Sequence, residues 1–124
     1  MADPSAGPAG APARALVLPR WWNQANKTEQ AYYATQLGPR LQRGELVRVD
    51  FEAETLLLGD DLRYTPDFRV VPADGLLEFH EVKGPYKRED AIVKLRTAPE
   101  LHPHRFFLCE LMAEGKWRIQ EVGR

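Results

Sequence analysis

Asp67, Glu81 and Lys83 have the residue types and the spacing to hold a divalent cation and act beside it. Between Asp67 and Glu81 runs Pro72-Ala73-Asp74-Gly75, whose composition demands a turn, so the flanking segments pair as an antiparallel hairpin. If the loop is Ala73-Asp74-Gly75, Val71 opposes Leu77 and counting back sets Asp67 opposite Glu81; a four-residue loop offsets that pairing by one position. Directly opposed side chains have Cβ atoms about 4.5–5.5 Å apart, where like charges repel. A shared cation resolves the repulsion, and hard carboxylate oxygens suit Mg²⁺, which keeps several waters of its own. Lys83 stands two residues beyond Glu81, so strand alternation sends both to one face, alongside Leu77 and Phe79. From there an ammonium can reach an attacking water or a phosphate oxygen while the carboxylate holds metal. Glu29 is a fourth candidate. It heads the apolar stripe Tyr33-Leu37-Leu41, and a carboxylate on the buried side of a helix is costly unless neutralised. It also stands three residues after Asn26, where it closes a capping box; the two roles are compatible and both stay open.

These residues need elements to position them. Asn26 and Glu29 open a helix, Tyr33, Leu37 and Leu41 continue it, Gly38-Pro39 kinks or splits it, and Gly44 suits its exit. From Val47 the period becomes two: Val47, Val49, Phe51 and Ala53 alternate with Arg48, Asp50, Glu52 and Glu54, predicting a strand with the first set inward. Gly59-Asp60-Asp61 is a turn into a second strand over 62–71, and a third follows over 76–82 until Gly84-Pro85. A helix over 88–97, with Ile92, Leu95 and Ala91 inward, ends at Pro99. Strands over 104–111 and 117–122 complete the chain, joined by a turn at Gly115. The third and fourth strands flank a helix, so they lie parallel through a right-handed crossover. The fold expected is α/β: a mixed sheet flanked by helices in the order α-β-β-β-α-β-β.

Composition narrows the class. A length of 124 residues gives one small core, for which dimerisation is a natural supplement. Residues 1–20 hold six Ala, four Pro and two Gly, too little apolar surface to order, so they read as a flexible tail ahead of a single domain over 21–124. One cysteine, Cys109, excludes an internal disulfide and a cysteine-rich zinc site. No apolar run spans a membrane and no secretory signal is visible, so a cytoplasmic protein is expected. The 17 Lys+Arg against 18 Asp+Glu argue against a passive nucleic-acid coat, which would be strongly basic. The balance is local, however: between Lys83 and Arg105 six basic residues face only Glu89, Asp90 and Glu100.

Tyr64-Thr65-Pro66-Asp67-Phe68, thirteen residues before Glu81-Val82-Lys83-Gly84, resembles the PD-(D/E)xK nuclease superfamily, and within it the small phage endonucleases and archaeal-type Holliday junction resolvases. The likeness covers about residues 26–111 and implies a restriction-endonuclease-like core. It implies that Asp67 and Glu81 bind Mg²⁺ (or Mn²⁺ in its place), that Lys83 assists catalysis, and that the helix with Glu29 carries the additional metal-binding glutamate. The implied reaction is Mg²⁺-dependent hydrolysis of DNA phosphodiesters. Lys87, Arg88, Lys94 and Arg96 are then the DNA-binding candidates, although Lys87 and Lys94 read equally well as a solvated helix face. The expected substrate is branched or four-way-junction DNA cut by a homodimer, in the host cytoplasm if the protein is phage-encoded. A nuclease for other DNA and a non-catalytic DNA-binding module of the same fold are the alternatives.

Other conspicuous residues take plainer readings. His80, His102 and His104 invite a zinc reading, but His102-Pro103-His104 lacks a third ligand at suitable spacing, so ordinary loop histidines are expected there. Cys109 reads as a small core residue, and Trp21-Trp22 as packing against the core or a partner subunit rather than as a platform for bases.

Overall fold

Each helix end is set by a local device. In the computed structural model, which describes residues 17–85 and 89–123, helix α1 (Lys27–Tyr32) opens on a complete capping box. The Glu29 N–H donates to Asn26 Oδ1 and the Asn26 N–H to Glu29 Oε1, each at 2.8 Å. The expected break at Gly38-Pro39 takes the form of a π-turn over Tyr33–Leu37, where the Gly38 N–H reaches back to the Tyr33 carbonyl; α2 (Gly38–Gln42) then carries on. Pro39 has no N–H for the preceding turn, and the wider turn absorbs the mismatch. Gly44 ends α2 at φ 81°, its N–H on the Leu41 carbonyl and the Glu45 N–H on the Arg40 carbonyl, the Schellman pattern that needs a left-handed residue.

Strands β1 (Leu46–Phe51), β4 (Phe68–Pro72), β5 (Glu78–Lys83), β6 (Arg105–Leu111) and β7 (Trp117–Val122) form one mixed sheet in the order β1-β4-β5-β6-β7. β5 and β6 are parallel through helix α3 (Glu89–Leu101), as the crossover requires, and the other neighbours are antiparallel. β2 (Leu56–Leu57) and β3 (Arg63–Tyr64) make a separate small hairpin. The sheet is covered on both faces, so each side has its own apolar cluster. One joins Tyr32, Tyr33 and Leu37 to Phe68, Val70, Val82 and Cys109. The other joins Leu95 and Ala98 of α3 and Tyr64 of the small hairpin to Phe79, Phe106 and Leu108. The tryptophan pair belongs to the first: Trp21 stacks on Phe51 at 5.4 Å and meets Tyr33 edge-on at 4.9 Å.

Four expectations about elements are corrected. Val47 is exposed rather than inward, because the β1–β4 register shifts between Leu46 and Arg48 and the bulge puts Leu46 in the core instead. Ala53 lies beyond the end of β1 and is exposed. The second strand is not continuous over 62–71: it breaks at Thr65-Pro66-Asp67, where Pro66 offers no N–H to a ladder. Pro99 does not stop α3 but sits buried within its last turns, two residues before Leu101. Gly123, at φ 108°, lies against it; a Cβ there would come within 2.5 Å of the Pro99 Cβ, so only glycine lets the end of β7 pack on this proline. No helix among the described residues is long and apolar enough to cross a membrane. The first sixteen residues of the expected tail, and Lys87 and Arg88, lie outside the described residues.

Candidate active site

The β4–β5 hairpin fixes the centre of the site. Phe68 pairs with His80, Arg69 with Phe79 and Val70 with Glu78, the register of the three-residue loop. One step back along both strands sets Asp67 beside Glu81. A hydrogen bond locks the arrangement: the Val82 N–H donates to Asp67 Oδ2 at 2.8 Å. Asp67, Glu81 and Lys83 are all buried. Lys83 Nζ lies 2.9 Å from Glu81 Oε2, as the two-residue spacing on one strand face allows.

Glu29 joins this group while keeping its cap. Its carboxyl is buried, and its charge and a side-chain hydrogen bond both favour a proton on Asp67. Burial is the larger cause, the Glu81 charge the next, and the Val82 N–H works the other way; together they push Asp67 up to about 9. An aspartate that keeps its proton at neutral pH marks an excess of acceptors over donors.

Two residues of the site escape sequence reasoning. Alternation placed Glu52 on the solvent side of β1, but the strand stops at Phe51 and Glu52 adopts φ 48°. Its N–H donates to the Asp67 carbonyl at 2.8 Å, and burial followed by the Glu29 and Glu81 charges raises its carboxyl above the usual range. A left-handed glutamate leaves no mark in sequence. The second is Tyr64. It stands three residues before Asp67, and its hydroxyl donates to Glu81 Oε1 at 2.6 Å from within the core. Its proximity to Asp67 was the only available signal.

The remaining candidates do not converge here. Lys94 is half-buried and Arg96 exposed on α3, and Arg96 borders a hollow with Pro99, Glu100 and Gly123, apart from Asp67, Glu81 and Glu29. His80 lies on β5, within the strand expected over 76–82, fully buried and on the opposite sheet face from Glu81. Its Nδ1 lies 2.7 Å from the Tyr32 hydroxyl and its Nε2 2.9 Å from Glu78 Oε1, while the Cys109 thiol donates to the Tyr32 hydroxyl at 3.1 Å. A cavity of about 270 Å³ opens beside this chain, lined also by Gln36, Arg40 and Arg105.

Among the described residues no three His, Cys, Asp or Glu side chains stand ready-placed around a metal ion. The donor set nevertheless suits a hydrated hard cation, which needs only one or two carboxylates and makes up its shell with water and substrate oxygens. Asp67 and Glu81 could serve as those carboxylates, the Glu29 and Glu52 charges lie within reach, and a cation would relieve the crowding that raises Asp67. No family model matches the chain, and neither a curated protein nor a solved structure matches it.

Proposed function

We propose that this protein is a Mg²⁺-dependent DNA endonuclease with a restriction-endonuclease-like core, acting on branched DNA as a homodimer. One observation carries the reading: two buried carboxylates, Asp67 just ahead of β4 and Glu81 on β5, are brought together at the β4–β5 pair with Lys83 on the same face as Glu81. A folding core gains nothing from such a trio, because like charges in a low dielectric are costly unless a cation or proton joins them. Asp67 and Glu81 would hold the cation, and Glu29 would act through its field and its bond to Asp67. When bound, that cation supplies a water of lowered pKa and offsets charge building on the phosphate. Lys83, at the end of β5, offers its ammonium to the attacked phosphate or the nucleophile. A junction with two symmetry-related strands calls for two sites, hence a two-fold dimer.

The test is incubation of the full chain with a four-way junction and with linear duplex, in Mg²⁺ and in EDTA. Mg²⁺-dependent nicking that Asp67→Asn abolishes supports the nuclease. Equal affinity for the two DNAs, or a monomer at micromolar concentration, would remove the junction preference and leave the nuclease standing; no cleavage of any DNA with Mg²⁺ or Mn²⁺ would sink both.

A further inference from the structure

Glu81 has both carboxylate oxygens occupied, each by a donor of a different kind. Tyr64 donates to Oε1 at 2.6 Å, and the Lys83 ammonium sits 2.9 Å from Oε2. Each oxygen keeps a second lone pair, but a cation arriving at Glu81 meets a like charge in the Lys83 ammonium and only a neutral hydroxyl in Tyr64. Resting on the metal-dependent reading above, we infer that Tyr64 is the positioning residue of the site: it holds the Glu81 carboxylate through Oε1, whereas Lys83 is the contact that would give way to a cation.

The two donors differ in how freely they can leave. Tyr64 is buried in the apolar cluster formed by Leu56, Leu58, Phe79, Leu95 and Leu108, and its backbone is fixed by pairing with Leu56. Turning the ring away would strand a buried hydroxyl with no partner, which is expensive. Lys83 is the last residue of β5, followed by Gly84-Pro85, and its charge rides on a flexible four-carbon stem. Its attraction to Oε2 is that of a single charge, which a divalent cation outbids. The exchange also leaves the ammonium without its carboxylate partner, free to meet a phosphate oxygen. One contact thus serves as a placeholder and the other as a fixed strut.

The strut and the placeholder predict opposite signs. Mn²⁺ titrated calorimetrically into the full chain should bind Tyr64→Phe about tenfold more weakly than wild type, the usual cost of removing an outer-shell partner. Lys83→Met should bind Mn²⁺ at least as tightly as wild type and about threefold more tightly if the exchange is complete, since a competing charge has gone. Circular dichroism in EDTA confirms that each variant is folded. If Tyr64→Phe does not fold, wild type supplies the answer: the Lys83 ammonium signal in a ¹⁵N-lysine spectrum must move when Mg²⁺ is added. Unchanged Mn²⁺ affinity in Tyr64→Phe, weaker affinity in Lys83→Met, or a Lys83 signal indifferent to Mg²⁺ overturns the inference while leaving a metal-dependent site intact. If wild type takes up neither cation, the metal reading falls first and this inference with it.

Discussion

Strand β5 carries two buried polar clusters, and they are built on opposite principles. On one face, Cys109, Tyr32, His80 and Glu78 form a chain in which each donor meets an acceptor, provided His80 is neutral with its proton on Nε2. Burial lowers the His80 pKa and so favours that neutral form; burial likewise pushes the Cys109 thiol up to about 12, keeping it a donor. Nothing in this chain is left over. On the other face Asp67, Glu81 and Glu29 crowd carboxyl groups together, and burial, followed by the Glu81 charge, pushes Asp67 up to about 9. A closed network specifies a core, whereas an over-supplied one is poised to take a cation.

The sharpest way to break that contrast is to remove one acid. Asp67→Asn or Glu81→Gln should abolish cleavage while retaining the fold, and Lys83→Ala should cost on the order of 10²–10³ in rate, the scale of a lost electrostatic stabiliser. By contrast, Tyr32→Phe in the closed chain should leave cleavage unchanged. A gel assay of nicked product measures all four, and near-normal turnover in either carboxylate variant would dissolve the distinction between the clusters.

The next effect is on stability as pH changes. Asp67 titrates near 9 in the folded chain against its ordinary 3.8. The native state therefore binds more protons between those values, and stability falls as pH rises through the window. His80 has the opposite sign: its pKa is lowered on folding, so its contribution is present above its ordinary 6.5 and is lost as pH falls. In EDTA, melting temperature should decline from pH 7 to 9, and Asp67→Asn should flatten that limb. Mg²⁺ should restore it increasingly as pH rises, because metal displaces the Asp67 proton. A melting temperature rising over this range in EDTA would contradict the crowding.

Tyr32→Phe supplies a smaller effect, on stability alone. It removes the hydroxyl that links Cys109 to His80, and should destabilise by about 1–2 kcal/mol in urea melts as partners are left unsatisfied. No loss would mean the closed chain is ornamental.

Glu29→Gln should have the smallest effect on stability, since Gln still serves at the third position of a capping box. Its effect on cleavage decides whether the residue belongs to the acidic cluster or only to the helix. Unchanged rate would reduce Glu29 to a cap.

Sequence by itself determined whatever depends on local periodicity and turn chemistry. The Pro72–Gly75 turn set the hairpin register, and with it the neighbourhood of Asp67 and Glu81. The spacing of Glu81 and Lys83 put them on one face, Asn26 and Glu29 made the cap, Gly44 ended the helix, and a helix between two strands made β5 and β6 parallel. Those rules reach only a few residues along the chain. Tertiary structure decided what depends on contacts between distant segments. The bulge at Leu46–Arg48 exchanged the inward residue of β1, and Pro99 stayed within α3, with Gly123 packed against it. The left-handed turn at Glu52 left that acid exposed but within reach of the Glu29 and Glu81 charges, and the core placed the Tyr64 hydroxyl on a carboxylate seventeen residues away. His80, on an expected strand but with no role legible there, is the centre of a closed network for the same reason: its partners, Tyr32 and Cys109, lie 48 residues before and 29 residues after it. Alternation fixes which face a strand residue points to, but only packing decides what it meets there.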